Sequence, residues 1–203
     1  MRGLFVTFEG IDRSGKTTQA NLLVDALGAE GLGVREPGGT DVGERVRALL
    51  KDPAVSLAPE TEALLFAAAR AELVSQVILP ALADGRVVVS DRFLDSSLAY
   101  QGGARGLGIE DVERVNRFAT RALRPDLTFL LEIDPADAAA RAGDSDRFEG
   151  EGVALQEAVR AAYERLIEID PGRWRRIDAA RPPAEIHADV LAEVEAARSG
   201  VRA

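Results

Sequence analysis

The chain has 203 residues, 46% hydrophobic and 29% charged, the balance of a soluble globular protein with one α/β domain and a sizeable core. Its net charge of −9 argues against a general nucleic-acid-binding surface, although local arginines can still hold a small anion. The absence of cysteine excludes disulfides, thiolate nucleophiles and zinc–cysteine sites.

In chain order, an apolar β-rich run over Leu4–Glu9 leads into Gly10-Ile11-Asp12-Arg13-Ser14-Gly15-Lys16-Thr17. This is G-x-x-x-x-G-K-T, a phosphate-binding loop, placed between a predicted strand and a predicted helix. Glycines let the backbone curl until successive N–H groups point inward at a polyphosphate, and the helix start adds the positive end of its dipole. Lys16 reaches the outer phosphates and Thr17 offers a hydroxyl to Mg²⁺. Only two of the 25 basic residues are lysines, Lys16 and Lys51, and one of them occupies the motif position.

Further strands are predicted at Gly33–Glu36, Arg86–Ser90, Leu127–Ile133 and Trp174–Ile177. Helices are predicted at Lys16–Ala29, Val42–Leu50, Pro59–Ala83, Leu94–Tyr100, Ile109–Ala122, Pro135–Ala142, Ala154–Ile169 and Pro183–Ala197. Strands alternating with helices, several of them solidly apolar, mean a parallel sheet covered on both faces. Ligands of such folds bind at the carboxyl ends of the strands, where Glu9-Gly10, Glu36-Pro37, Ser90-Asp91 and Asp134 fall. Pro37 precedes two glycines; its peptide isomer is left open, with trans favoured in general. No linker or repeat divides residues 1–203, so a single domain is expected. The polar, glycine-flanked stretch 143–152 reads as a lid over a phosphate site, with Arg141 and Arg147 able to reach in; the lid is taken as about 141–152. No charged leader opens the chain. No apolar run is expected to reach bilayer length, because Arg70 interrupts the most apolar helix. A cytoplasmic protein without membrane or nucleic-acid partners is expected.

A phosphate loop alone does not name a reaction. Asn-Lys-x-Asp, the guanine-reading signature of regulatory GTPases, is absent. The second phosphate-site strand reads Val87-Val88-Val89-Ser90-Asp91-Arg92, an acid and a base side by side. Asp91 can orient hydrated Mg²⁺ and Arg92 can clamp a second phosphate. The plainer reading of that pair is a helix N-cap with a solvent salt bridge. His187, the only histidine, lies far from every motif and is read as solvated or packed against a neighbour; Trp174, at the start of the last strand, is read as core or edge packing.

With these stretches the sequence resembles the thymidylate (dTMP) kinase family. The resemblance is carried by Phe8–Gln19, Arg35-Glu36-Pro37-Gly38-Gly39-Thr40, Glu62–Arg70, Asp91–Gly102, Pro125-Asp126-Leu127-Thr128 and Asp146-Arg147-Phe148-Glu149, in the family's order over nearly the whole chain. It implies a P-loop NTPase-type fold with a five-stranded parallel sheet, helices on both faces and a short lid. The implied activity is Mg²⁺-assisted phosphoryl transfer from ATP to dTMP, giving dTDP on the way to dTTP, in a homodimer.

Residue roles follow from the resemblance. Phe66 would stack on thymine, a use every π-face allows. Arg70, one turn later, would donate to a base carbonyl. Arg92 and Arg47 would fork onto the dTMP phosphate. Ser96, Ser97 and Gln101 would hydrogen-bond the base, Tyr100 would pack beneath the sugar, and Glu36 would sit by the sugar and the transferred group. Gly10, Ile11, Asp12, Arg13, Ser14, Gly15, Lys16, Thr17 and Thr18 would hold the triphosphate. Arg141 and the turn containing Ala180 would enclose adenine. Thr17 and Asp91 would take the metal, and Asp12, Arg13, Lys16, Glu36, Arg92 and Arg147 would surround the reacting atoms. Many bacterial relatives have glycine where Arg13 stands, so Arg13 is expected to be a principal source of positive charge on the transferring group. Phe93 replaces a more usual tyrosine, losing a hydroxyl. Two rivals are weighed: a kinase of another nucleoside monophosphate or deoxynucleoside on the same fold, and a nucleotide-binding switch that has lost transfer.

Overall fold

The computed structural model describes residues 2–141 and 152–201. In chain order the elements are β1 (Phe5–Glu9), α1 (Lys16–Leu27), β2 (Gly31–Arg35), α2 (Asp41–Lys51), α3 (Pro59–Leu73), α4 (Leu79–Ala83), β3 (Val87–Asp91), α5 (Leu94–Ser97), α6 (Ile109–Ala119), β4 (Leu127–Glu132), α7 (Pro135–Ala140), α8 (Val153–Ile169), β5 (Trp174–Asp178) and α9 (Pro183–Val201). The five strands are parallel in the order β2-β3-β1-β4-β5. The fold is thus the five-stranded parallel α/β class expected.

The chain builds β2 and β3 on one side of β1, then crosses to β4 and β5 on the other. Strand order therefore reverses at β1, and the crevice beyond that reversal is where an open α/β sheet binds ligands. Pairing of Phe8 with Asp91 brings the ends of β1 and β3 together there. The centre of the sheet is rigid. All of β1 is buried, Phe8 stacks on Phe129 at 5.3 Å, and the Phe5 edge meets Phe93 at 4.8 Å. Phe93 thus uses its ring as core, where no hydroxyl is called for.

Several element ends differ from the sequence reading, each for a local reason. β2 starts at Gly31, two residues early, and stops before Glu36. Its glycines weaken the strand signal, yet they let α1 lie close: a Cβ on Gly33 would sit 3.2 Å from the Val24 side chain. α1 stops at Leu27, where Gly28 turns to φ 55 and donates back to Asp25 and Val24 carbonyls. α6 stops at Ala119 because Arg121 and Ala122 take left-handed backbone. The helix expected over Leu94–Tyr100 is one α turn that widens into a π turn over Leu98–Ala104. Its glycines admit α8, since a Cβ on Gly103 would lie 2.4 Å from Ala162 Cβ. The Glu36–Pro37 peptide is cis.

One exclusion needs correcting. Pro59–Ala83 is a single helix, interrupted only by a π turn at Val74–Ile78, and it is long and apolar enough to cross a membrane by length and composition. The π turn lies just before Pro80, which has no N–H to continue the ordinary ladder. In the fold this helix packs against α2 and α6, and two of its four charged residues, Glu62 and Arg70, are buried in ion pairs.

Candidate active site

The phosphate loop leaves the buried end of β1 at Glu9. Gly10 has φ 136, and a Cβ there would lie 2.5 Å from the Leu131 carbonyl oxygen. Gly15, at φ 99, starts α1. Only glycine fits the first position, because both its backbone and its surroundings exclude a side chain. Lys16 folds back into this curl, donating to Ile11 O at 2.5 Å and Ser14 Oγ at 3.1 Å. Burial, and then the charge of Arg92, push the Lys16 ammonium down to about 7, against the pull of Asp12, Asp91 and Glu9. The lysine thus occupies a cradle built for an anion.

Thr17 donates to Asp91 Oδ2 at 2.5 Å. Two hard oxygen ligands at the rim suit Mg²⁺, which keeps several waters and takes its remaining ligands from substrate phosphates. Among the described residues there is no cluster of three or more His, Cys, Asp or Glu side chains that could hold a metal ion.

Beside the loop lies a cavity of about 290 Å³. Asp12, Arg13, Lys16 and Thr17 line it from the loop; Arg35, Glu36 and Pro37 from the end of β2; Arg47 and Lys51 from α2. Phe66 and Arg70 line it from α3, and Asp91, Arg92, Ser96, Ser97, Tyr100 and Gln101 from the end of β3 onward. Every residue that the resemblance assigns to the acceptor nucleotide is on this wall. Thr18 is exposed beside the loop, and Ile11 is core.

Arg92 stands at the centre. Its backbone is left-handed at φ 69, while its N–H still donates to Phe8 O at 3.0 Å. Its guanidinium reaches Gly10 O at 3.1 Å, Ser96 Oγ at 2.9 Å, Asp12 Oδ1 at 2.6 Å and Tyr100 OH at 3.3 Å. It also lies 5.1 Å from the Tyr100 ring centroid.

Arg70 is 1% exposed, and all five of its N–H groups have protein acceptors. Nε and Nη2 converge on Glu36 Oε2 at 2.6 and 2.5 Å. Nη1 serves Ser97 Oγ at 3.1 Å and Asn116 Oδ1, and Nη2 also reaches Phe93 O at 3.2 Å. The expected donation to a base carbonyl is therefore not made ready here; the arginine is committed to Glu36. Burial raises the Glu36 carboxyl while Arg70 opposes it, and buried Oε1 has no hydrogen-bond partner among the described residues. Gln101 turns its amide donor to Glu62 at 2.9 Å, and Arg47 donates to Pro37 O at 2.8 Å.

On the far side of the loop, Arg13 and Arg141 clasp each other's backbones. Arg13 donates to Ala139 O at 3.3 Å and Arg141 O at 3.2 Å; Arg141 donates to Arg13 O at 3.2 Å and Ala179 O at 2.7 Å. This brings Arg141 to the turn after β5, where exposed Ala180 donates its N–H to Asp178 Oδ1. Arg147 and the rest of the expected lid, 142–151, lie outside the described residues.

The thymidylate kinase family model matches residues 8–190. The chain belongs to the thymidylate kinase family. A thymidylate kinase of Caldanaerobacter subterraneus subsp. tengcongensis is 47% identical over the full length of both chains. One of Pelotomaculum thermopropionicum is 50% identical, covering 96% of this chain and 94% of its own. One of Lactobacillus delbrueckii subsp. bulgaricus is 44% identical, covering 98% and 97%. The chain is accordingly an enzyme, a kinase.

The sequence reading gave no role to Glu62, Asn116, Gln156 or Tyr163, and it placed Glu9 only at a strand end facing the ligand crevice. Asn116 carried a signal, since it shares the buried stripe of α6 with Val112 and Ala119. Glu9 accepts from Phe93 N at 2.8 Å, Ser96 Oγ at 2.6 Å and Tyr163 OH at 2.8 Å. Burial, with the charge of Asp95, nonetheless pushes its carboxyl up to about 7. Between the ordinary value of 4.5 and about 7 the folded protein keeps a proton that the unfolded chain has released. The stability Glu9 contributes is thus full below pH ~4.5 and lost as pH rises toward 7. Glu9→Gln removes this titration. Urea unfolding should show the variant gaining on the native protein by up to about 3 kcal/mol between those pH values. Parallel stability curves would show that Glu9 is already ionised throughout.

Proposed function

We propose that this chain transfers the γ-phosphoryl group of ATP to dTMP, giving dTDP and ADP, and that donor and acceptor meet in the cavity beyond β1 and β3. One observation carries this reading. The loop lysine and a forked arginine from the neighbouring strand end face the same small cavity, so two phosphate groups can lie side by side.

In the step itself, an anionic phosphate oxygen of dTMP forms a bond to the γ-phosphorus. The bond from that phosphorus to the β–γ bridging oxygen breaks, and its electron pair leaves with ADP. The attacking oxygen is already ionised, so positioning and charge neutralisation do most of the work. Thr17 and Asp91 would hold Mg²⁺, which would supply neutralising charge for the phosphate oxygens. Lys16 exchanges the carbonyl and hydroxyl it now contacts for phosphate oxygens, and Arg92 with Arg47 holds the acceptor phosphate. Phe66 offers its face to the base, with Ser96, Ser97 and Gln101 at its edge and Tyr100 beneath the sugar. Arg70 acts first by fixing Glu36, whose unpartnered Oε1 can accept from a sugar hydroxyl; it meets a base carbonyl only by releasing Ser97 or Asn116. Arg13 reaches the transferring group by leaving the carbonyls at the end of α7. Arg141 and the Ala180 turn take adenine, and Arg147 belongs to the expected lid.

A homodimer goes with this reading. α3 and α6 pack side by side, and they expose Leu64 at 57% and Phe118 at 90%. An isologous contact would cover them. Net charge of −9 supports a small-molecule rather than a nucleic-acid partner, and the buried ion pairs of the long apolar helix support a core role without a membrane. A cytoplasmic location is in keeping with its use of ATP.

The deciding assay is ADP formation from Mg·ATP with dTMP, dUMP, UMP, dCMP, dGMP or no acceptor. Strong preference for dTMP, weaker use of dUMP and a blank near zero are expected. Preference for UMP or dCMP would discard the roles given to Phe66 and Gln101, and acceptor-independent hydrolysis alone would remove transfer. In the same assay Arg13→Ala should lose kcat far more than ATP affinity. Sedimentation of Phe118→Glu should show monomer where the native chain shows dimer; an unchanged dimer would move the interface elsewhere.

A further inference from the structure

Gln156 lies in the first turn of α8, the helix that follows the expected lid. Its carboxamide engages Asp12 of the phosphate loop in both directions. Nε2 donates to Asp12 Oδ2 at 2.8 Å, and Oε1 accepts from Asp12 N–H at 3.1 Å. Tyr100 OH also donates to Oε1, at 3.4 Å. Since Arg92 holds both Asp12 Oδ1 and Tyr100 OH, the four side chains close a ring: Gln156, Asp12, Arg92, Tyr100. A carboxamide suits this place, because Asp12 presents one donor and one acceptor to the same neighbour.

We propose that Gln156 is a positioning residue that divides Asp12 between α8 and Arg92, and so sets where the Arg92 guanidinium points. The ring leaves Asp12 one carboxylate oxygen for Arg92. Without Gln156 both oxygens are open to the guanidinium, and a carboxylate–arginine pair tends to the two-pronged form. Arg92 would then be drawn toward the loop and away from the acceptor phosphate. Gln156 also holds the backbone N–H of Asp12, so the link from α8 shapes the loop as well as the arginine. α8 is thereby tied to the acceptor side of the site through Asp12, 144 residues away in sequence. Neighbouring Tyr163, one helical face along α8, reinforces the docking through Glu9 and Ser96. The inference rests on the reading that Arg92 binds the acceptor phosphate.

The test uses the full chain with Gln156→Leu, Gln156→Glu, Asp12→Asn and the double variant Asp12→Asn/Gln156→Glu. Kinetics with dTMP, ADP binding by calorimetry and thermal unfolding are read together. Gln156→Leu should lower kcat/KM for dTMP tenfold or more, since misplacement by about 1 Å can cost about a hundredfold. ADP affinity should change less than about threefold, because the triphosphate cradle is formed largely by later loop residues. Gln156→Glu keeps an acceptor for Asp12 N–H but sets a carboxylate against Oδ2, so it should be worse than Gln156→Leu. In the Asp12→Asn background the new amide can donate to the carboxylate introduced at position 156, so the same Gln156→Glu change should cost less than about threefold. Native-like kinetics in Gln156→Leu, or equal losses from Gln156→Glu in both backgrounds, would overturn the proposal. Equal loss of dTMP efficiency and ADP affinity together with lowered thermal stability would also overturn it, reducing Gln156 to a fold contact. If the native chain does not turn over dTMP at all, it is the functional reading that fails.

Discussion

The site depends on one guanidinium held at the crossing of three segments. Arg92 bonds the phosphate loop through Gly10 and Asp12, α5 through Ser96, and the π turn through Tyr100. No other side chain type can do this. A planar fork with five donors satisfies acceptors in several directions at once, whereas an ammonium is a compact point charge. The left-handed backbone at Arg92 turns the chain out of β3 while its N–H still completes the ladder with Phe8. Strain of this kind persists only where the surroundings over-determine it, and here the sheet on one side and four acceptors on the other do so.

A second constraint is the cost of burying positive charge. Lys16, Arg70 and Arg92 are all withdrawn from water around one cavity, and an unpaired buried cation costs several kcal/mol or more. The fold answers with acceptors of graded strength. Arg70 has a full carboxylate, Glu36, and is locked. Arg92 has a shared one, Asp12, and is held but able to exchange. Among the described residues Lys16 has a carbonyl and a hydroxyl, and burial pushes its ammonium down to about 7. The gradient runs from fixed scaffold to the position where an incoming phosphate would relieve the most electrostatic cost.

Much of this was legible in the chain. The phosphate loop is a local motif, and the residues at the ends of β1 and β3 could be placed because solidly apolar strands announce a parallel sheet. What could not be read was partnership across long sequence distance. Glu36 and Arg70 were each named for a ligand, yet they are partners 34 residues apart. Gln156 sits on an amphipathic helix with no motif around it, and its meaning comes only from Asp12 beside it. The glycines of β2 misled the strand boundary for a related reason: they answer the close approach of α1, a tertiary fact. The long apolar helix shows the same limit, since buried ion pairs at Glu62 and Arg70 depend on partners elsewhere in the chain.

The claim that a fork, and not merely a positive charge, organises the acceptor side can be tested by Arg92→Lys. Steady-state kinetics with dTMP and calorimetry with ADP would be measured on the same preparation. The account predicts that kcat/KM for dTMP falls about a hundredfold while ADP affinity stays within about threefold, because one ammonium cannot replace the geometry of the guanidinium. A variant with near-native efficiency would contradict it, showing that charge at this position suffices and that the network around Arg92 does not direct the reaction.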